Sequence, residues 1–416
     1  MDIKLLEVDT LESALEKLHK NYLAAHEGKG LSSQRVEKLP LSECYNKVLA
    51  EDIMSPENIP AFNRSTVDGY ALCAKDTQGA SESLPVFLDI VGEVKMGEVP
   101  DFTINPGQCA YVPTGGALPD GADGVAMVEH CQLFGPAQVA VYSSLSFGHN
   151  MVLQGDDVSR GQTILKKGRI IEPADMGLLA SIGKTEILTY KPWKISIIST
   201  GDEIVNPSCT PNPGQMRDVN TYGLIGEIKR LGFDVAGCRL VRDDYKMLKD
   251  AAIEAGKVSD VVLISGGSSK GKKDITEEVL DDITSGGVFV HGLAVKPGKP
   301  TILATDEQGR IFIGLPGHPV AALLIFRLLI GGLWDMEIGG SKGLGAMPHK
   351  AKMAVNIAAS PGRKTFQLVT LEKGLAVPVL GKSGLIATMS KAHGYIVMDV
   401  NQEGINKGEE VEVWPL

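Results

Sequence analysis

Five polar, glycine-rich strings in the middle of the chain carry the groups that phosphate and oxyanion chemistry requires. They are Thr200-Gly201-Asp202-Glu203, Arg242-Asp243-Asp244, the run from Ser265 to Asp274 (SGGSSKGKKD), Lys296-Pro297-Gly298-Lys299-Pro300 and Leu315-Pro316-Gly317-His318-Pro319. Glycines let backbone N–H groups approach phosphate oxygens, and a helix N-terminus behind them favours negative charge. Ser265, Gly266 and Gly267 are therefore the candidate cradle. Lys296 and Lys299 suit an oxyanion that a chain of net charge −10 would otherwise repel. Glu203, Asp243 and Asp274, with Asp202 and Asp244, are hard oxygen donors for Mg²⁺ bridging a pyrophosphate. Without a cation among them, so many carboxylates at one edge would repel each other.

Taken singly, each string is ordinary: a turn capping a helix, a solvated loop, a tight turn with two surface lysines, a helix start with Pro319 in its first turn. The Ser265–Asp274 run lacks the GxxxxGK[ST] spacing of a nucleotide-binding P-loop. Three further loops, residues 60–71, 113–117 and 155–159, place Asp68, Thr114 and Asp157 near glycines, and by chemistry alone they are no more than candidates. The eight histidines show no ligand or triad spacing.

The case for a joint site comes from the elements that must position these strings. Apolar runs at 195–199, 233–240, 261–265, 301–304 and 311–313 read as strands. Helical patterns read at 220–231, with Asn220 as N-cap, at 245–255, at 275–283 and from Pro319 onward. Such alternation predicts a doubly wound, mostly parallel α/β domain, whose ligands bind beyond the carboxyl ends of its strands. All five strings fall at that edge. Around it the pattern predicts an N-terminal helical and linking domain (1–58 with 158–191), a β-rich domain (59–157), the α/β domain (192–338) and a C-terminal β-barrel-like domain (339–416). An amphipathic helix is expected over 4–26, where Thr10 followed by Ser13 is a faint start signal.

Composition narrows the classes. Of 416 residues, 43% are hydrophobic and 22% charged, as in a globular protein, and this length implies several domains. The negative charge, with only 5% aromatics, excludes a general nucleic-acid or anionic-membrane binder. Six cysteines stand no closer than 22 residues apart, which argues against structural zinc and for reduced thiols in the cytoplasm. The most apolar stretch, 320–334, is broken by Arg327 and a Gly-Gly pair and is expected to be too short to span a bilayer.

With these strings assembled, the chain resembles the molybdopterin molybdotransferase family, which includes the C-terminal domain of gephyrin. STVDGYA (65–71) is similar to that family's S-x-M-D-G-Y-A signature, and PTGGALPDGADGVAMVE (113–129) to its threonine loop. GDDVS, STGDE, GQMRDVN, SGGSSKGKKD, KPGKP and LPGHP follow in family order, so the resemblance spans the chain. It departs from the family in His318 for Asn, in SGGSSKG for SGGVSVG, which adds Lys270, and in Val67 for Met. The resemblance implies a homodimer that inserts molybdate, or tungstate, into adenylylated molybdopterin with Mg²⁺ and release of AMP, completing molybdenum cofactor synthesis. The implied roles fall on Asp68, Asp157, Glu203, Asp243 and Asp274 for catalysis, and on Glu203, Asp243 and Asp274 for the metal. Thr114, Lys296, Lys299, Pro316, His318 and Pro319 join the cradle residues in substrate binding. A molybdopterin adenylyltransferase on a separate chain and acceptor molybdoenzymes are the implied partners. The rival reading is a carrier, chaperone or scaffold that keeps the pterin cleft without the chemistry.

Overall fold

The computed structural model describes residues 8–27, 35–266, 275–338, 347–381 and 383–416. The chain forms two compact units: residues 1–51, 167–172 and 186–416 make one, and residues 52–166 and 173–185 the other.

In the first unit, the N-terminal helix Leu11–Ala25 buries Leu11, Ala14, Leu18 and Tyr22, one stripe at three- and four-residue spacing. It starts at Leu11 because Thr10 Oγ1 accepts from Ser13 N–H at 3.1 Å; the faint start signal is the actual cap.

The α/β layer follows. Its elements are β1 (Lys194–Thr200), α1 (Asn220–Arg230), β2 (Asp234–Val241), α2 (Tyr245–Val258), β3 (Val261–Ser265), α3 (Ile275–Ile283), β4 (Val288–His291), β5 (Ile302–Thr305), β6 (Ile311–Leu315) and α4 (Pro319–Phe326). The strand order is β2-β1-β3-β6-β5-β4. β1, β2, β3 and β6 run parallel, while β5 is antiparallel to both β6 and β4. Side chains alternate between two cores, as strands covered on both faces require. Ile195, Ile197, Val261, Leu263, Ile311 and Ile313 enter one; Ile198, Val262, Ile264 and Phe312 enter the other with Leu248 of α2 and Leu280 of α3.

Beyond α4 the helix continues through a π-helical turn (Arg327–Gly331) to Ile338. Its 20 residues are long and apolar enough to cross a membrane, which corrects the expectation of a segment too short to do so. It is nevertheless a core helix, with 89% of its most apolar window buried. A helix apolar on all sides is what a site enclosed by protein selects. Arg327, 2% exposed, pairs with Glu227 at 3.3 Å and donates to the Pro415 carbonyl at 2.9 Å. Burial pulls its guanidinium pKa down, and Glu227 opposes that shift.

Five C-terminal strands close into a barrel: Lys364–Glu372, Leu375–Pro378, His349–Met353, Glu410–Pro415 and Gly394–Met398, the last pairing back to the first. The short strand Val295–Lys296 joins this barrel instead of the α/β sheet, pairing Val295 with Lys364 and Lys296 with Thr365.

The second unit is built on a six-stranded sheet in the order Gly124–Met127, Gly69–Leu72, Gln108–Val112, Val86–Glu93, Gln138–Val141 and Cys131–Leu133. Gly69–Leu72 is buried throughout, although its sequence reads as a loop.

Candidate functional site at the strand ends

Chain connection places a switch point in the α/β sheet. From β1 the chain passes to β2 on one side and then to β3 on the other, opening a crevice beyond the ends of β1 and β3. The loops there are in contact. Gly266 has φ +121°, and a Cβ on it would stand 2.0 Å from the Thr200 carbonyl oxygen, so only glycine fits. A Cβ on Gly317 would be 4.0 Å from Gly266 Cα, which brings in the loop after β6.

Side chains lock these loops together. Thr200 Oγ1 donates to Asp243 Oδ1 at 2.6 Å, joining the exits of β1 and β2. Asp218, 8% exposed, accepts from Ser199 Oγ at 3.1 Å, Thr221 N–H at 3.1 Å and Thr221 Oγ1 at 2.6 Å. Asn220 Nδ2 donates to Ser265 Oγ at 2.7 Å and to the Gly317 carbonyl at 2.8 Å. Asp218 and Asn220 both lie in GQMRDVN, a string assigned no site role above, only a helix cap at Asn220. The available signal was two polar residues immediately ahead of an amphipathic helix. Asn220 is not the N-cap expected from the sequence; Val219 holds that position and Asn220 is the first helical residue.

The acids are not equivalent. Asp243 is half-buried, whereas Asp202 and Glu203 are exposed. Asp244 is the cap of α2, its Oδ1 accepting from Met247 N–H at 2.8 Å, a structural use that accounts for an acid counted above as a metal donor. Among the described residues no cluster of three or more His, Cys, Asp or Glu side chains surrounds a metal position. Gly267 and Asp274 lie outside the described residues.

KPGKP reaches the same edge by a route the strand list did not anticipate. It precedes the antiparallel β5, whose first residue, Ile302, pairs with Gly314 near the end of β6. Gly298, at φ +123°, lies against α4: a Cβ there would meet Ile325 Cδ1 at 2.5 Å. Lys296 and Lys299 are both exposed. Lys296 Nζ donates to Ser360 Oγ at 2.7 Å, and neither lysine has an ion-pair partner among the described residues. In LPGHP the two prolines are buried, Pro319 opening α4, while Gly317 and His318 are exposed. His318 Nδ1 lies 2.9 Å from Ser383 Oγ, and the Ser383 carbonyl accepts from Val320 N–H at 3.2 Å, a dock that sequence reasoning did not find.

In the second unit, Asp68 and Thr114 meet from opposite ends of two paired strands. Asp68 Oδ1 accepts from Thr114 N–H at 2.6 Å and from Thr114 Oγ1 at 2.9 Å. These two bonds, the backbone one first, hold the Asp68 carboxyl below the usual carboxylate range. Asp157, also exposed, has its N–H on the Ile59 carbonyl at 3.0 Å; among the described residues no side-chain hydrogen bond ties it to Asp68.

Family comparisons agree along the chain. Residues 9–183 match the MoeA N-terminal region (domain I and II), residues 196–333 the probable molybdopterin-binding domain, and residues 350–416 the MoeA C-terminal region (domain IV). A molybdopterin biosynthesis protein of Methanocaldococcus jannaschii is 34% identical over 392 residues, covering 92% of this chain and 93% of its own. The molybdopterin molybdenumtransferase of Haemophilus influenzae is 31% identical over 395 residues, covering 92% and 94%. The crystal structure of a molybdopterin biosynthesis MoeA protein from Pyrococcus horikoshii superposes with TM-score 0.75 at 35% identity, covering 98% of this chain and 99% of that one. The chain belongs to the molybdopterin molybdenumtransferase (MoeA) family of molybdenum cofactor biosynthesis.

Proposed function

We propose that this chain is the Mg²⁺-dependent transferase that places molybdate, or tungstate, on the dithiolene of adenylylated molybdopterin and releases AMP. The observation that carries this reading is the switch-point crevice, where Thr200, Asp243, Ser265, Gly266 and Gly317 converge beside the start of α1. The glycine backbone at Gly266 and Gly317 favours the diphosphate. Lys296 and Lys299, both without an ion-pair partner among the described residues, supply the positive charge for a tetrahedral oxyanion.

The donor set suits Mg²⁺. Glu203 and Asp243 offer oxygen only, and two carboxylates completed by substrate phosphates and water are this ion's usual ligand set. When bound, it neutralises charge on the phosphoanhydride. The chain's own residues do the rest. Thr200 fixes one oxygen of Asp243 and leaves the other to point elsewhere, and Lys296 and Lys299 hold the oxyanion. Asp68, kept ionised by Thr114, acts as an acceptor that orients a substrate hydroxyl or a water. The protein works as a cytoplasmic homodimer, receiving substrate from a separate adenylyltransferase and delivering cofactor to apo-molybdoenzymes.

The test is to incubate the protein with adenylylated molybdopterin, Mg²⁺ and molybdate or tungstate and to follow AMP. Release that depends on both oxyanion and Mg²⁺, and that is lost in Asp243→Asn, is the expected result. Tight binding of the adenylate without oxyanion-dependent release would instead make the protein a carrier.

A further inference from the structure

The carboxamide of Asn220 is fixed in a way that a purely structural strut does not need. The residue is 9% exposed and begins α1 at the switch point. Its two N–H donors are spent on Ser265 Oγ and the Gly317 carbonyl. Turning the amide over would set Oδ1 against that carbonyl, acceptor facing acceptor, so the Gly317 oxygen dictates the orientation. Oδ1 is left buried, with no hydrogen-bond partner among the described residues. A buried amide oxygen without a donor is uncommon and costs free energy until a donor arrives. It lies where an open α/β sheet binds its ligand. Ser265 is oriented by the same contact: with its Oγ accepting from Asn220, its own proton is directed away from Asn220.

Resting on the function proposed above, we infer that Asn220 is a substrate-positioning residue. Its Oδ1 accepts an N–H or O–H donor of the bound adenylylated molybdopterin, while its Nδ2 holds Ser265 and Gly317 in register. The donor is either the amide and amine edge of the pterin or a hydroxyl of the nucleotide. Molybdopterin and AMP, used as separate probes, distinguish the two.

The experiment is calorimetric titration of the full chain, as wild type, Asn220→Ala and Asn220→Asp, with each probe, beside thermal unfolding of all three. Asn220→Ala is expected to weaken one probe about five- to tenfold and to leave the other within about twofold. Asn220→Asp sets a carboxylate against the Gly317 carbonyl. It is expected to bind that probe more weakly still at pH 7.5 and to recover as pH falls toward 5, where the protonated acid donates again. A role as a strut alone predicts lower stability with both probes affected equally, and that result overturns the proposal. So does wild-type affinity for both probes in a folded Asn220→Asp, which carries the test alone if Asn220→Ala does not fold. Failure of the wild type to bind either probe would overturn the functional reading itself, and this inference with it.

Discussion

Replacing Gly266 by alanine puts a methyl group where the crevice has no room. The new Cβ would stand 2.0 Å from the Thr200 carbonyl oxygen and 3.0 Å from its carbon, and real Cβ contacts do not fall below 3.0 Å. Thr200 ends β1 and is paired with Val241, so its carbonyl cannot simply rotate aside. The loops after β1 and β3 must separate by about 1 Å, and alanine must also hold φ near +121°, which costs ~1–3 kcal/mol. A misplacement of about 1 Å in an active site costs on the order of 100-fold in rate. Gly266→Ala should therefore lose about 2–3 kcal/mol in urea unfolding and about 100-fold in AMP release. Two controls separate the causes. Gly148→Ala meets nothing within 4 Å and carries only the strain of φ +79°. Gly226→Ala, on an exposed face of α1 with nothing within 4 Å, should gain about 0.5–1 kcal/mol. Wild-type stability and activity in Gly266→Ala would refute the close approach of the two loops, and with it the crevice.

Truncating Lys296 or Lys299 to alanine removes a charge-assisted contact of ~1.5–3 kcal/mol, so the KM for molybdate should rise roughly ten- to a hundredfold; an unchanged KM in both variants would leave them as surface residues. Asp68 should titrate below the ordinary carboxylate range by NMR, and Thr114→Val should raise it part of the way, because the backbone bond remains. The folded pKa is the lower one, so the contact is fully present above the unfolded value and is lost as pH falls through the folded value; an ordinary Asp68 titration would contradict the geometry. Arg327→Met should destabilise by about 3 kcal/mol in chemical denaturation, because it empties a buried ion pair. Adding Glu227→Gln should return part of that loss, and a purely additive double mutant would show that the pair is not coupled.

Local chemistry wrote much of this protein directly into its sequence. The apolar runs of β1, β3 and β6 and the periodicity of α1, α2 and α3 follow from burial on two faces, and they place the polar strings at one edge without coordinates. The ordered strings also carry the family. Contacts between distant segments could not be read that way. KPGKP reaches the edge only because β5 runs antiparallel, a matter of sheet pairing. Gly69–Leu72 is a central strand because two neighbours pair with it, although its own residues suggest a loop. Asn220 looked like a cap because a cap is the local use of asparagine, whereas its partners, Ser265 and Gly317, are 45 and 97 residues away. Periodicity reports which face a residue turns inward; which donor meets which acceptor is decided by how the loops pack against each other.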